Sequence, residues 1–211
     1  AREGDREGRD VLVLDRLGLA APASWDDLLA PQLTNQISAP NPLSSGTGYT
    51  MVFTQRVRLG ADDQAFDYLK RLDANVLQYT NSGLAPAGIV ARGEAAVSIT
   101  FSQHCLRAID QGSEQLVVSY PAEGTGFEIG SVAVLQDARD PDAARRYVDY
   151  AISTYGQLTG AGAWPAQLPT RADLVADPRL GADANILDYT PQEAAAARER
   201  LADLARSELR R

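Results

Sequence analysis

The chain has 211 residues, of which 45% are hydrophobic and 23% charged, as in ordinary globular proteins with a genuine core. Its net charge of −8 argues against a nucleic-acid partner, because phosphate recognition needs basic patches. The single cysteine, Cys105, excludes an internal disulfide and a cysteine-based metal cluster.

The first half of the chain alternates short strands with helices. Residues 1–10 are charged and lack a signal-peptide pattern, so we expect a weakly ordered leader. Ser24 and Asp27 have the spacing of a capping box for a short helix that ends at Pro31. The remaining predictions are a short apolar element over 11–19, strands over 36–39 and 76–79, and helices over 49–59 and 62–73.

The second half continues the alternation of strands and helices, which indicates an α/β fold. No apolar run approaches the roughly 20 residues that span a bilayer. Pro141 suits the first turn of a helix, and Gly93 is a typical residue just after a helix end. The predicted helices cover 86–92, 104–111, 140–153 and 191–209, and the predicted strands cover 95–101, 115–120 and 129–135.

A run of small hydroxyl residues and glycines lies between the strand over 36–39 and the following helix. Ser44, Ser45 and Thr47 are residues that cap helix N-termini, and Gly46 lets backbone N–H groups approach a ligand closely. The first N–H groups of a helix have no partner inside it and attract phosphate or carboxylate groups. The segment therefore indicates either an anion cradle or an ordinary helix cap.

Six short motifs, in this order, resemble those of a known family. They lie at residues 18–31, 42–49, 78–83, 90–97, 120–126 and 137–147. The chain is similar to extracellular solute-binding proteins of the ferric-ion and hexose-phosphate or phosphonate group, which have the type 2 periplasmic binding fold. The resemblance covers about residues 16–170 and implies two α/β lobes that close on a ligand around a hinge.

The resemblance also implies the lobe boundaries. Residues 1–21 are expected to form a leader and hinge crossing, 22–117 one complete α/β lobe, and 118–124 a second crossing. Residues 125–211 are expected to form the C-terminal, mostly helical part of the other lobe. In the family, about a hundred residues that supply the first strands of that lobe normally precede such a segment. We therefore expect a fragment, a dimer, a second polypeptide that completes this lobe, or a lobe built differently.

Position in these motifs implies ligand-binding roles for several residues. Ser44, Ser45, Gly46 and Thr47 correspond to an anion cradle, and Ser82 offers a second hydroxyl or is a plain turn residue. Gln103 and His104 follow the strand over 95–101, where open α/β sheets place ligands. Ferric-binding relatives carry paired tyrosines at this position, and hexose-phosphate relatives carry a His-Asp pair. This chain has Gln103-His104 instead, and we expect His104 either to bind a ligand or to cap the following helix.

Three further residues have two interpretations each. Glu123 lies at the proposed crossing and is either a carboxylate in the ligand cleft or a solvated hinge residue. Tyr79 and Trp164 are expected to stack on a ligand or to belong to the core.

The sequence therefore predicts a non-catalytic substrate-binding component of an ABC importer. It is expected to work outside the cytoplasm with a transporter permease and to capture a small anionic solute, such as a phosphorylated sugar or phosphonate. The alternatives are a ferric-ion-binding protein of this family and a sensor or scaffold without a transport role. We expect no cofactor, no metal and no enzymatic activity, because the catalytic motifs are missing and only an unsupported Ser45–His104 pair could act.

Overall fold

The structure is a computed structural model that describes Leu14 and residues 17–162, 167–175, 177–181 and 184–209. The predicted leader, most of the predicted element over 11–19, and Trp164 lie outside these residues. No helix in the described ranges is long and apolar enough to cross a membrane.

The central feature is a sheet of three parallel strands. They are β1 (Ile37–Pro40), β2 (Val76–Thr80) and β3 (Val97–Ser98), in the spatial order β2-β1-β3. The middle strand β1 is buried along its whole length, as expected for a strand with neighbours on both sides. Because all three strands are parallel, their carboxyl ends meet at one edge of the sheet.

The helices largely agree with the sequence pattern. Asp62–Asp73 was predicted to its exact bounds, and its Phe66, Leu69 and Leu72 are buried, as the apolar spacing requires. Ser24 and Asp27 form the predicted reciprocal bonds, from Ser24 N to Asp27 Oδ2 (2.9 Å) and from Asp27 N to Ser24 Oγ (3.1 Å), although the element is a 3₁₀ turn. The α-helices of the described residues are α1 (Gly46–Leu59), α2 (Asp62–Asp73), α3 (Ala85–Ala91), α4 (Ser102–Asp110), α5 (Pro141–Ile152), α6 (Thr154–Gly162) and α7 (Pro191–Glu208).

The chain forms two compact units. The main unit comprises the residues up to Phe127 together with Ala184 onward, and the inserted unit comprises Glu128–Asp183. Where the chain leaves and re-enters the main unit, Thr125 forms a parallel bridge with Ile186. Thr125 N donates to Asn185 O at 2.8 Å, and Leu187 N donates to Thr125 O at 3.0 Å.

The C-terminal helix α7 belongs to the main unit, which corrects the prediction that all of 125–211 lies in the other lobe. Ala197, Leu201 and Ala205 repeat every fourth residue and are buried on the face that packs against α1 and α2. Tyr49 of α1 also donates a hydrogen bond to the Ala194 carbonyl. Burial of this apolar stripe explains where the helix lies.

The predicted strands over 115–120 and 129–135 are wrong, because neither segment forms a β-ladder in the described residues. A strand needs a neighbour for its backbone hydrogen bonds, and β3 also shortens to two residues instead of 95–101. Val117 and Leu135 are 67% and 76% exposed, so these segments have the composition of strands without a packing partner.

The inserted unit contains α5 and α6. Helix α5 confirms the predicted helix over 140–153, since Asp140 Oδ1 accepts a hydrogen bond from Ala143 N at 2.9 Å and Pro141 opens the helix. Helix α6 was not predicted, because its Gly- and Ala-rich sequence reads as a connection.

Candidate ligand-binding site

The start of α1 is a capped helix that leaves backbone donors available. Ser45 is its N-cap, and its Oγ accepts a hydrogen bond from Gly48 N at 3.4 Å. Tyr49 N donates to Ser45 O, but the described residues provide no hydrogen-bond acceptor for the N–H groups of Gly46 and Thr47. The capping interpretation of Ser45 is thus observed, and the two N–H groups without an acceptor are candidates for an anion-binding role.

Close backbone packing fixes the position of this helix start. A Cβ atom on Gly48 would collide with the carbonyl oxygen of Asn41, in the turn that leads from β1 to α1. Asn41 O also accepts the hydrogen bond of Ser45 N at 3.0 Å. Only glycine allows this approach, so Gly48 holds the donors of α1 at the carboxyl end of β1.

The turn after β2 lies beside the start of α1. Ser44 Oγ donates a hydrogen bond to Asn81 Oδ1 at 2.8 Å. A Cβ atom on Gly83 would collide with the hydroxyl of Thr47, so these two residues are in contact. Ser82 Oγ accepts a hydrogen bond from Leu84 N at 3.3 Å, which is the role of a turn residue.

The start of α4 completes the cluster from β3. His104 Nδ1 lies 2.8 Å from Thr100 Oγ1 and 3.1 Å from Gly83 O. Burial lowers the pKa of His104, and the charge of Arg107 acts in the same direction, while the hydrogen bond with Gly83 O opposes them. Gln103 is the second residue of this helix and is half-buried.

The three strand ends thus bring most of the predicted residues into one cluster. Gly83 touches Thr47 of α1 and the His104 side chain of α4, so it joins all three loops. We call this cluster the edge site. Its predicted members are Ser44, Ser45, Gly46, Thr47, Ser82, Gln103 and His104.

Glu123 is not part of the edge site. Its carboxylate accepts hydrogen bonds from Trp25 N at 3.0 and 3.3 Å, and it lies 3.7 Å from Arg58 Nη1. Arg58 is in the last turn of α1, and the ends of this 14-residue helix are about 20 Å apart. Glu123 therefore lies at the far end of α1, where its carboxylate is 30% exposed and hydrogen-bonded, and it is not close to the edge site.

Two residues of the site were missed by sequence reasoning. Asn81 lies two residues after the predicted strand over 76–79, and Thr100 is the second-last residue of the predicted strand over 95–101. Polar side chains at the carboxyl ends of strands are the pattern that could have revealed both. Tyr79 packs against the core and donates a hydrogen bond to Asp73 Oδ1 at 2.9 Å, which is its core interpretation.

A Ser45–His104 catalytic pair has no support in this geometry. Ser45 Oγ is engaged by Gly48 N, and His104 Nδ1 by Thr100 and Gly83. A nucleophile and its base must share a hydrogen bond, and none joins these two side chains in the described structure.

The parallel sheet and the helix N-termini at its carboxyl edge define an α/β ligand-binding fold. A family model described as "Bacterial extracellular solute-binding protein" matches residues 10–193, so the chain belongs to this family. The predicted resemblance and the type 2 periplasmic binding fold are thereby confirmed.

Individual relatives add detail. The periplasmic binding protein AfuA from Actinobacillus pleuropneumoniae, solved with exogenous fructose-6-phosphate bound, matches with a TM-score of 0.85 and 36% identity over 93% of this chain. An uncharacterized protein of Haemophilus influenzae is 42% identical over 146 residues, or 68% of this chain. A putative 2-aminoethylphosphonate-binding periplasmic protein of Salmonella typhi is 24% identical over 160 residues, or 73% of this chain.

The chain is shorter than these relatives. It spans 63% of the AfuA chain, 41% of the Haemophilus influenzae protein and 47% of the Salmonella typhi protein.

Proposed function

We propose that this chain is the solute-binding component of an ABC importer and captures a small anionic solute at the edge site. The observation that carries the proposal is the pair of N–H groups on Gly46 and Thr47, which have no acceptor in the described structure and lie at the positive end of the α1 dipole. Hydroxyls of Ser44 and Thr47 flank these donors.

The solute class that fits best is a phosphate ester or phosphonate. A tetrahedral anion accepts several hydrogen bonds at once, which suits two adjacent backbone N–H groups with the Thr47 hydroxyl on the same turn of the helix. The bound fructose-6-phosphate of AfuA and the assigned ligand of the Salmonella typhi relative belong to these classes. Closure of two lobes on the solute would then follow from contacts that exist only in the closed state.

Two alternatives have less support. A phenolate-type ferric site is not proposed, because no two of the eight tyrosines are adjacent in sequence. A sensor or scaffold role without transport would use the same edge site, and only reconstitution with a permease distinguishes it from an importer.

The test is a thermal shift assay with fructose-6-phosphate, 2-aminoethylphosphonate, inorganic phosphate and fructose. We expect the phosphorylated compounds and the phosphonate to raise the melting temperature more than fructose does, because saturating ligand at 100 times Kd adds about 2.7 kcal/mol of stability. The double variant Ser45→Ala with Thr47→Val is expected to lose this difference, because it removes the N-cap that orders the first N–H groups of α1 and the Thr47 hydroxyl beside them.

The matched control is Thr190→Ala, which removes the N-cap of α7 without touching the edge site. It lowers the melting temperature of the free protein by a similar amount but keeps the ligand-induced shift. An unchanged shift in the double variant, or an equal shift with fructose in the wild type, contradicts the proposal.

We also propose that another polypeptide, or a second copy of this chain, covers the exposed apolar residues of the inserted unit. Tyr147, Ile152, Tyr155 and Leu135 are all more than half exposed, and exposed apolar residues in such numbers are typical of protein-contact surfaces. Sedimentation velocity over a hundredfold concentration range, with and without a candidate partner, tests this. A compact monomer that keeps this surface accessible to solvent contradicts it.

The location proposed for the chain is extracytoplasmic, as for the periplasmic relatives. Fractionation of cells that express the native gene would test this directly.

A further inference from the structure

The proton positions around His104 follow from the chemistry of its two partners. Gly83 O is a carbonyl and only accepts hydrogen bonds, and Thr100 has a single hydroxyl proton. Thr100 Oγ1 donates this proton to Gly83 O at 2.5 Å. Thr100 Oγ1 can then only accept from His104 Nδ1, which lies 2.8 Å away.

The third contact agrees with this assignment. His104 Nδ1 is 3.1 Å from Gly83 O, so a proton on Nδ1 is shared between two acceptors. In the opposite tautomer, the lone pair of Nδ1 would face the carbonyl oxygen of Gly83. The Thr100 hydroxyl has one proton and could then donate it either to Gly83 O or to His104 Nδ1, but not to both. The acceptor left without a proton would repel the neighbouring acceptor atom.

We infer that Thr100 and Gly83 hold neutral His104 with its proton on Nδ1, so that Nε2 accepts a hydrogen bond from a hydroxyl group of the solute. Thr100 is then a positioning residue, which acts through His104. The described residues give Nε2 no other partner, and burial keeps the ring neutral at pH 7.

This inference rests on the proposed function and narrows its solute class. The α1 donors require an anion, whereas Nε2 requires a hydrogen-bond donor and repels a second bare anionic oxygen. The edge site therefore favours a compound that carries a hydrogen-bond donor beside its phosphate or phosphonate, such as the hydroxyl of a sugar phosphate. It disfavours a compound with two ionised phosphates.

A direct test is available because His104 is the only histidine among the 211 residues. Protein labelled with ¹⁵N-histidine gives a single imidazole pattern in a long-range ¹H–¹⁵N correlation spectrum, without any solute. We expect the Nδ1 signal to be of the protonated type and the Nε2 signal of the unprotonated type. The reverse pattern overturns the inference, whether or not phosphate esters bind.

Variants of Thr100 test the positioning role. Thr100→Val removes the hydroxyl at nearly constant size, so the spectrum is expected to move toward a mixture of tautomers, and Thr100→Ser is expected to restore the wild-type pattern. Affinity for fructose-6-phosphate falls about tenfold in Thr100→Val, as expected for one misplaced hydrogen bond, while affinity for inorganic phosphate stays unchanged.

The outcomes separate this inference from the proposed function. Equal losses for fructose-6-phosphate and inorganic phosphate make Thr100 a structural residue and overturn its positioning role. The expected tautomer in a protein that binds no phosphate compound supports the proton assignment and contradicts the proposed function instead.

Discussion

The two units contain similar helices in different surroundings. Helix α7 of the main unit buries three residues against α1 and α2, whereas α5 of the inserted unit buries none. Both helices are well capped, by Thr190 and Asp140 respectively. The difference shows that caps and amphipathic spacing specify a helix, while burial depends on whether a second layer is present to receive it.

The largest expected effect is the difference in stability between two leucine-to-alanine variants, one in the main unit and one in the inserted unit. Leu201 is fully buried, so Leu201→Ala is expected to lower the free energy of unfolding by about 3 kcal/mol through lost burial and a cavity. Leu135→Ala, at a position 76% exposed, is expected to change it by less than about 0.5 kcal/mol. Urea unfolding measures both, and a large loss for Leu135→Ala would show that the inserted unit is covered in solution.

A smaller effect is expected at Glu123, which lies four residues before Phe127, where the chain leaves the main unit. Glu123 and Asp26 both lie 3.7 Å from Arg58 Nη1, but their side chains are 30% and 73% exposed, and Arg58 itself is 90% buried. Glu123→Gln is expected to cost about 1–2 kcal/mol, because it weakens the acceptor of Trp25 N and leaves Arg58 poorly paired.

Asp26→Asn is the matched control, and we expect a cost below about 0.5 kcal/mol because water screens an exposed charge pair. Equal costs in urea unfolding would mean that Glu123 is as solvated as Asp26. A weaker affinity for phosphate esters in Glu123→Gln, without loss of stability, would instead return Glu123 to the ligand site.

The smallest expected effect is a pH dependence confined to the main unit. Burial lowers the pKa of His104 below its ordinary value of 6.5, so at pH values just below 6.5 the unfolded chain binds more protons than the folded one. The contribution of His104 to the free energy of unfolding is therefore fully present above pH 6.5. It is lost as the pH falls through the lower pKa that His104 has in the folded protein.

The variant His104→Gln is expected to flatten this part of the curve. Amide hydrogen exchange at pH 7 and at pH 5.5, corrected for the intrinsic rate, would detect the change near α4 and not in α5. The same pH response in the variant and the wild type would assign the effect to carboxylates.

The sequence predicted well those features that depend only on neighbouring residues, namely helix caps and helix bounds. Ser44, Ser45 and Thr47 predicted a helix N-cap, which lies at Ser45, although α1 begins at Gly46 and not at residue 49. The apolar spacing of 62–73 gave the bounds of α2. Each of these depends on residues within one or two turns of each other.

Predictions that needed a distant partner were less successful. The composition of residues 129–135 indicates a strand, but a ladder requires a neighbour that the described residues do not supply. The position of α7 depends on α1 and α2, more than a hundred residues away in sequence. The contact between Thr100 and Gly83 could not be predicted, because it requires that β2 and β3 end at the same edge of the sheet.

The parallel bridge between Thr125 and Ile186 has a consequence for dissecting the chain. Since both segments run in the same direction, Phe127 lies two residues beyond the bridge and Ala184 two residues before it. A graft that excises 128–183 must therefore run back about 13 Å, at roughly 3.3 Å per residue, and a tight two-residue reverse turn cannot do this. About six flexible residues, with a root-mean-square span of about 13 Å, would bridge this gap, so any variant that joins 127 to 184 needs a linker of roughly that length.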